Sequence, residues 1–387
     1  MEETYYMQWL QSIHHLSGKS ARKVLELYPD PGELLRDARE HWEQMFSAGQ
    51  GKILWERIQE TRSLQDMQEQ YEKLMEKGIR FVHERQKEYP ARLKMIPDAP
   101  LGLYYKGKLP GAEGLTVAMI GARDCSEYGS YVARELGKYL GQRGITVISG
   151  MARGIDGISQ GAVLEAGGES YAVLGCGVDI CYPSSNRNIY DILVEKGGVL
   201  STYPPGTKPL GSNFPPRNRI VSGLADALVV VEARLKSGTL STVDMALEQG
   251  REVYVVPGRV TDRLSDGCNR LLRQGAGVFL DPESFVEELE ESCFLKRISP
   301  IKEREKGISM ERSPGEEGRG MNREKLPELS EELLELWQAL EYEPRSVADI
   351  REHVKNALSL QQCSTGLMQL VLLGHARQVF SGYFSKV

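Results

Sequence analysis

The sequence predicts an α/β protein whose central part is a mostly parallel sheet covered by helices on both faces. Between residues 115 and 281, apolar runs of strand length alternate with segments of helical length. This alternation is typical of right-handed βαβ units. One run, residues 227–231, is wholly apolar, as expected of a buried strand.

Six strands and the helices between them follow from this pattern. The predicted strands are residues 116–120, 146–149, 171–174, 199–201, 227–231 and 253–256. Helices fit between them, for example at residues 128–143 and 239–249. Ligands of parallel sheets bind at the carboxyl ends of the strands, so the loops that follow the strands are the candidate site.

The flanking segments differ from this centre. Residues 1–75 have apolar positions at helical spacing and predict either a SAM-like or helix–hairpin–helix module or a plain helical bundle. Residues 76–114 contain four prolines and predict irregular edge structure, which we group with the core as residues 76–294. Residues 295–325 are charged and poor in large apolar side chains, which predicts a flexible linker. Residues 326–387 predict a winged-helix-like domain, for which DNA contact and protein contact both remain open.

Composition limits the function classes. The chain has 387 residues and a net charge of −6, which argues against coating nucleic acid by bulk charge but not against a local basic groove. No apolar run reaches about 18 residues, so no membrane helix is expected. The acidic N-terminus lacks a signal pattern. Six scattered cysteines indicate reduced thiols in the cytoplasm, and neither a metal site nor a cofactor is predicted.

The loop after strand 116–120 begins with Gly121, Ala122 and Arg123. Small residues let a ligand approach the backbone closely, and arginine can bind phosphate through two N–H groups. A glycine after a strand is more often a plain turn, so this loop alone is a weak signal.

The loop after strand 146–149 reads SGMARGID and includes Ser149 and Gly150. Small residues between a strand and a helix resemble a backbone nest for phosphate. Asp156 at its end has the alternative role of capping the next helix. The run is neither a Walker motif nor a GxGxxG fingerprint, which disfavours a nicotinamide cofactor. A third glycine-rich loop, residues 175–183, follows the next strand.

The run from 214 to 258 carries the strongest anion signal. Arg217 and Arg219 come before a short helix, together with Phe214 and Asn218. The two arginines either bind phosphate, stay solvated or pair with Glu232 or Asp226. After the buried strand 227–231, the next helix begins at Lys236, Ser237 and Gly238. Backbone N–H groups and the helix dipole favour an anion at such a helix N-terminus.

No catalytic set emerges from the sequence. Residues 115–281 contain no histidine, which excludes a serine–histidine triad within this domain. No pair of carboxylates has the spacing of a metal or glycosidase site. A basic, glycine-lined cleft of this kind favours binding over turnover.

At residue level the centre resembles the DprA/Smf family of DNA-processing proteins. The matching strings run in family order from 117 to 276 and include GARDCSEYG, FPPRNRIVSGL and GCNRLLRQGA. The resemblance implies a Rossmann-like core that forms a homodimer, binds single-stranded DNA and delivers it to the recombinase RecA during natural transformation.

The same resemblance assigns binding roles residue by residue. The family's G-S/A-R motif falls on residues 121–123, its FPxRNR motif on 214–219 and its KSG motif on 236–238. Phe214 then stacks on a base or packs in the core, and both interpretations stay open. Two departures lie near the cleft, where a family histidine is absent around Gln160 and a family carboxylate is replaced at Thr202.

The sequence leaves three functions open. The first is a sequence-independent single-strand-binding recombination mediator that is not an enzyme. The second is a nucleotide hydrolase similar to the LOG group, whose PGGxGT loop is here replaced by KSGTL. The third is an adaptor in which the flanking domains bind DNA.

Overall fold

The computed structural model describes residues 2–13, 18–30, 33–34, 56, 64–298, 331–341, 345–354, 358–380 and 383–386. Two compact units divide the chain at Cys293. The predicted linker at 295–325 lies outside the described residues from 299 onward. No helix in the described ranges is long and apolar enough to span a membrane.

The first unit is built on one mostly parallel sheet. Its strand order over the described ranges is β1-β2-β6-β5-β4-β3-β7-β8-β9. Strands β3 to β9 run parallel to one another, whereas β2 pairs antiparallel with β6 and β1 pairs antiparallel with β2. The strands are β1 (Arg80–His83), β2 (Gly102–Gly107), β3 (Thr116–Ile120), β4 (Thr146–Ser149), β5 (Ser170–Val173), β6 (Gly198–Ser201), β7 (Ala227–Val230), β8 (Glu252–Val255) and β9 (Gly277–Val278).

The six predicted strands are present to within one residue at each end. The prediction of irregular structure at 76–114 is wrong, because this segment contributes β1 and β2 to the sheet edge. The prolines that suggested irregularity all lie outside these two short strands, so they mark the connecting loops only.

Helices cover both faces of the sheet. Alternate residues of β3 point to opposite sides, so Val117 and Met119 pack in one core and Ala118 and Ile120 in another. The helices of this unit are α1 (Glu2–Ser12), α2 (Gly18–Leu27), α3 (Leu64–Glu76), α4 (Ala91–Lys94), α5 (Glu127–Gln142), α6 (Ile155–Glu165), α7 (Arg187–Lys196), α8 (Phe214–Gly223), α9 (Gly238–Glu248), α10 (Asp266–Arg273) and α11 (Pro282–Ile298).

The N-terminal helices share a hydrophobic core with the sheet. Trp9 and Leu10 of α1 are buried in the same cluster as Leu174 and Cys176, which follow β5. The helices of residues 1–75 that the structure describes therefore belong to the same compact unit as the strands.

The second unit contains three helices and a small antiparallel sheet of order β10-β12-β11 in its described part. Its core includes Leu336, Leu367 and Phe384. The winged-helix-like character of this unit and its contact with DNA both stay predictions. Its elements are α12 (Glu331–Ala339), β10 (Arg345–Ser346), α13 (Val347–Glu352), α14 (Leu360–Leu372), β11 (Ala376–Phe380) and β12 (Tyr383–Lys386).

An ion pair fastens the lead-in segment to the sheet. Arg92 of α4 donates from Nε and Nη2 to the two carboxylate oxygens of Asp226 at 3.0 and 2.9 Å. The same carboxylate accepts the backbone N–H of Thr116 at 2.9 Å. The side chains of Arg92 and Asp226 are only 11% and 19% exposed, so the pair is shielded from water.

Replacing this carboxylate should destabilise the first unit. We expect Asp226→Ala to lower the free energy of unfolding by about 3 kcal/mol, because it leaves a shielded arginine without its opposite charge and the N–H of Thr116 without its acceptor. The matched control is Asp191→Ala, which breaks the exposed pair with Arg187 and should cost about 0.5 kcal/mol. Urea unfolding followed by circular dichroism measures both, and equal losses would contradict the expectation.

Candidate functional site

The chain reverses its direction of travel across the sheet next to β3. It adds β4, β5 and β6 on one side of β3 and then returns to place β7 on the other side. The carboxyl ends of β3 and β7 therefore flank a topological switch point, where ligands of open α/β sheets bind. The predicted loops after β3, β4, β5 and β7 all lie at this edge.

The loop after β3 is held in place by the loop after β4. Ile155 donates its backbone N–H to the carbonyl of Ala122 at 3.2 Å. Gly154 has a φ of +78°, and a Cβ there would lie 2.3 Å from the same carbonyl. A Cβ on Gly121 would lie 2.6 Å from the Ile155 side chain. Close packing by glycine thus fixes the backbone that presents Arg123, whose side chain is exposed.

The predicted phosphate nest after β4 is filled by the protein's own side chains. Gly150 donates its N–H to the carboxylate of Asp156 at 3.1 Å, and Met151 donates to Oε1 of Gln160 at 3.0 Å. Ser149 is fully buried and donates its hydroxyl to the carbonyl of Met119. Asp156 therefore holds this loop rather than capping α6. Because these groups are occupied, Ser149 and Gly150 support the site from beneath.

One departure from the resemblance has a structural role. Gln160 is fully buried, and its Nε2 donates to the hydroxyl of Ser170 at 3.1 Å while its Oε1 accepts from Met151. The amide therefore ties α6 to the loop after β4 and to β5 with both ends paired.

Arg217 lies beneath the site rather than on its surface. The residue is 5% exposed, and its Nη1 donates to the carbonyl of Val173 at 3.0 Å. A Cβ on Gly150 would lie 1.5 Å from that nitrogen, so only glycine leaves room for the guanidinium. Burial lowers the pKa of Arg217 and raises the pKa of Asp156, and the attraction between their opposite charges opposes both shifts.

The ring of Phe214 forms one wall of a pocket. The guanidinium carbons of Arg123 and Arg217 lie 5.4 and 5.8 Å from its ring centroid. The ring of Tyr182 lies 5.8 Å away, and a Cβ on Gly175 would lie 2.8 Å from the Phe214 ring. Phe214 is half-buried and faces this pocket, so the structure keeps both base stacking and local packing open for it.

This pocket has a volume of about 250 Å³ and is open to solvent on one side. Besides Arg123, Phe214 and Arg217, its lining includes residues that were not predicted as binding residues from the sequence: Arg153, Tyr182, Ser184 and Ser185. The position of Tyr182 within the glycine-rich loop 175–183 was the available signal. Arg153 also pairs with Asp124 at 2.8 Å.

The N-terminus of α9 lies beside the loop after β3. Ser237 caps the helix by accepting the N–H of Thr239 at 3.2 Å, and the Thr239 hydroxyl donates to the carbonyl of Gly121 at 3.5 Å. Lys236 and Gly238 are exposed. No acidic residue occupies the first turn of α9, so its positive end remains available to an anion.

The structure does not bring Arg219 into the pocket. The prediction placed Arg217 and Arg219 before the helix, whereas both lie within α8, because Pro215 and Pro216 are accommodated in its first turn. Arg219 pairs with Glu248 at 3.3 Å and with Asp98 at 3.8 Å, not with Glu232 or Asp226 as considered above. Asn218 is half-buried on the same helix.

The buried carboxylate of Glu232 fixes the start of α5. It accepts the backbone N–H of Ser126 at 2.9 Å and also the Ser126 hydroxyl. A Cβ on Gly129 would lie 2.4 Å from this carboxylate. Glu232 thus anchors a helix and is not positioned to neutralise the arginines of the site.

The described residues contain no group of three or more histidine, cysteine, aspartate or glutamate side chains that could hold a metal ion. The described edge of the sheet therefore has cationic, aromatic and backbone N–H groups around an open pocket. These groups suit a ligand that carries phosphate and flat rings.

Comparison with known proteins identifies a family. DNA processing protein DprA of Streptococcus pneumoniae is 40% identical over 202 residues, which cover 52% of this chain and 71% of that protein. Its crystal structure superposes with a TM-score of 0.64 at 32% identity and covers 74% of this chain and 99% of the other.

A second solved structure adds a ligand class for a related protein. DNA processing protein A from Helicobacter pylori, described for its single-stranded DNA binding mode, matches with a TM-score of 0.50 at 28% identity over 55% of this chain and 96% of that one. The family model of DNA recombination-mediator protein A matches residues 80–290, which are more than half of the chain and include every described strand of the first unit's sheet. This chain therefore belongs to the DNA recombination-mediator protein A family, DprA/Smf.

Proposed function

We propose that this protein binds single-stranded DNA without sequence preference at the carboxyl edge of its sheet and delivers the strand to the recombinase RecA in DNA uptake and recombination. The observation that carries the proposal is the exposed guanidinium of Arg123 over the ring of Phe214, 5.4 Å from its centroid. At this position a cation that can bind phosphate lies beside an aromatic ring that can stack on a base.

The chemistry of the edge explains why sequence would not matter. Phosphates are the same for every nucleotide, and every base has a flat face on which an aromatic ring can stack. Stacking needs bases that are separated from a partner strand, so Phe214 favours single strands over duplex. Lys236 and the positive end of α9 would bind the next phosphates along the strand.

The proposed contacts fall into two groups. Those that reach a strand directly are the side chains of Arg123, Phe214, Lys236 and Ser237 and the backbone at Gly121, Ala122 and Gly238, with Asn218 beside them on α8. Those that hold these groups from beneath are Ser149, Gly150 and Arg217, because each is buried. Arg219 lies outside the proposed path.

Delivery to RecA, a homodimer and a cytoplasmic location complete the proposal. They rest on the family resemblance and on the family's description as a recombination mediator. No specific observation among the described residues favours the alternative of a nucleotide hydrolase. Release of free base from nucleoside monophosphates by the purified protein would revive that alternative.

The phosphate contacts can be counted from the salt dependence of binding. We expect Arg123→Ala and Lys236→Ala each to weaken binding of oligo-dT and to flatten the slope of log affinity against log salt by about 0.7. Arg219→Ala is the matched control, because it also removes one arginine charge but lies in ion pairs away from the pocket. Fluorescence anisotropy across a salt series gives the slopes, and unchanged slopes in both site variants would refute the groove.

The role of Phe214 can be separated from packing. We expect Phe214→Ala to weaken oligo-dT binding by about 5-fold or more, since stacking of one base contributes about 1–3 kcal/mol, while Phe214→Trp retains binding. An abasic strand should bind the wild type and Phe214→Ala equally. Should Phe214→Ala instead lower the unfolding free energy without changing affinity, the ring serves packing alone.

Delivery to the recombinase has its own readout. We expect this protein to shorten the lag of single-strand-dependent ATP hydrolysis by RecA when the strand is already covered by a single-strand-binding protein. Arg123→Ala should restore the lag, because a mediator must hold the strand that it delivers. An unchanged lag with the wild-type protein would limit the proposed function to strand binding.

A further inference from the structure

A second basic surface begins at Lys236 and continues along the same edge of the sheet. It consists of Arg234 and Lys236 in the loop after β7 and of Arg259 and Arg263 in the loop after β8, and we call it the β7–β8 surface. All four side chains are exposed, and none of them forms an ion pair in the described chain. Residues 233–238 and 256–265 hold these four cations and one acidic residue, although the whole chain has a net charge of −6.

The two loops are locked together, so their cations form one surface. Ala233 donates its N–H to the carbonyl of Leu264 at 2.8 Å, and Gly267 donates to the carbonyl of Ala233 at 2.8 Å. A Cβ on Gly267 would lie 2.6 Å from that carbonyl, so only glycine permits this approach. Gly258 exchanges two hydrogen bonds with the side chain of Asn269, at 3.1 and 3.3 Å.

Two exposed aromatic rings adjoin the β7–β8 surface. Tyr128 and Tyr131 lie on one face of the start of α5, three residues apart, and are 48% and 65% exposed. The hydroxyl of Tyr128 donates to the carbonyl of Pro257 at 3.1 Å, which places its ring beside the loop after β8. Cations interleaved with exposed aromatic faces are the combination that binds single-stranded nucleic acid.

The β7–β8 surface is continuous with the pocket. The hydrogen bond from Thr239 to the carbonyl of Gly121 joins the start of α9 to the loop that presents Arg123. The pocket, Lys236 and the loop after β8 therefore follow one another in the strand order β4-β3-β7-β8.

We propose that a bound single strand continues from the pocket across the switch point onto the β7–β8 surface, where Arg234, Arg259 and Arg263 bind its phosphates and Tyr128 and Tyr131 stack its bases. This inference rests on the proposed function and extends the length of strand that one protein molecule binds. Cations alone would also attract an acidic protein, whereas the pair of exposed tyrosine rings beside them favours a strand with flat bases.

Strand length separates this surface from the pocket. We expect Arg259→Ala/Arg263→Ala to bind oligo-dT of about 4 nucleotides like the wild type. For a strand of about 16 nucleotides it should lose about 10-fold in affinity, and its salt slope should flatten by about 1.4, because two phosphate contacts are lost. Anisotropy titrations with both lengths measure these values.

A second double variant controls for bulk charge. Lys138→Ala/Arg143→Ala also removes two exposed cations, from later turns and the end of α5, and should match the wild type on both strands. Equal losses in the two double variants, or wild-type binding of the long strand by Arg259→Ala/Arg263→Ala, would overturn the inference. If Arg123→Ala is also without effect on either length, the proposed function itself fails.

The stacking role of the tyrosines is tested by comparing strands with and without bases. Tyr131→Ala should weaken binding of the long strand by about 5-fold or more, whereas Tyr131→Phe keeps the ring and should bind like the wild type. Tyr131 has no hydrogen bond to lose in the described chain, so its removal should not disturb the fold. On an abasic strand of the same length the Tyr131→Ala effect should vanish, and an equal effect there would overturn the stacking role.

Discussion

The buried guanidinium of Arg217 joins three parts of the site, and their arrangement depends on it. It extends from α8 to the carbonyl of Val173 at the end of β5 and passes over Gly150. A charged group in this position is tolerated because Asp156 lies in the same interior, and that carboxylate in turn holds the backbone of the loop after β4. Removing either charge would leave the other buried without its partner, which is costly in a protein interior.

The N-terminal helices also contact the segments that form the site. Gln11 of α1 donates to the carbonyl of Thr202 at 2.7 Å and accepts the N–H of Gly102 at 3.2 Å. Thr202 begins the segment that leads from β6 to α8 and hence to Phe214. Because Trp9 also packs in one core with residues that follow β5, the helical segment supports the loops that form the site.

Much of the fold and part of the site follow from local patterns. Buried parallel strands need nearly continuous apolar runs, so β3 and β4 were predicted with their observed ends. Strands β1 and β2 were missed, because the prolines of their segment lie in the connections and the pairing of β2 with β6 is set by distant residues. The helix start at residues 236–238 was predicted, since a hydroxyl and a glycine after a buried strand are a local signal for an anion-binding helix N-terminus.

The sequence alone determined the α/β class, the family and the set of loops at one edge, because apolar periodicity and motif order are properties of neighbouring residues. Only the tertiary structure decided which side chains of those loops face the pocket. Arg217 and Arg219 are two residues apart on α8, yet one lies beneath the pocket and the other pairs with Glu248 outside it. Arg217 contacts the end of β5, and Arg219 contacts a residue of α9. The spacing of a motif carries no information about which distant segments pack against it.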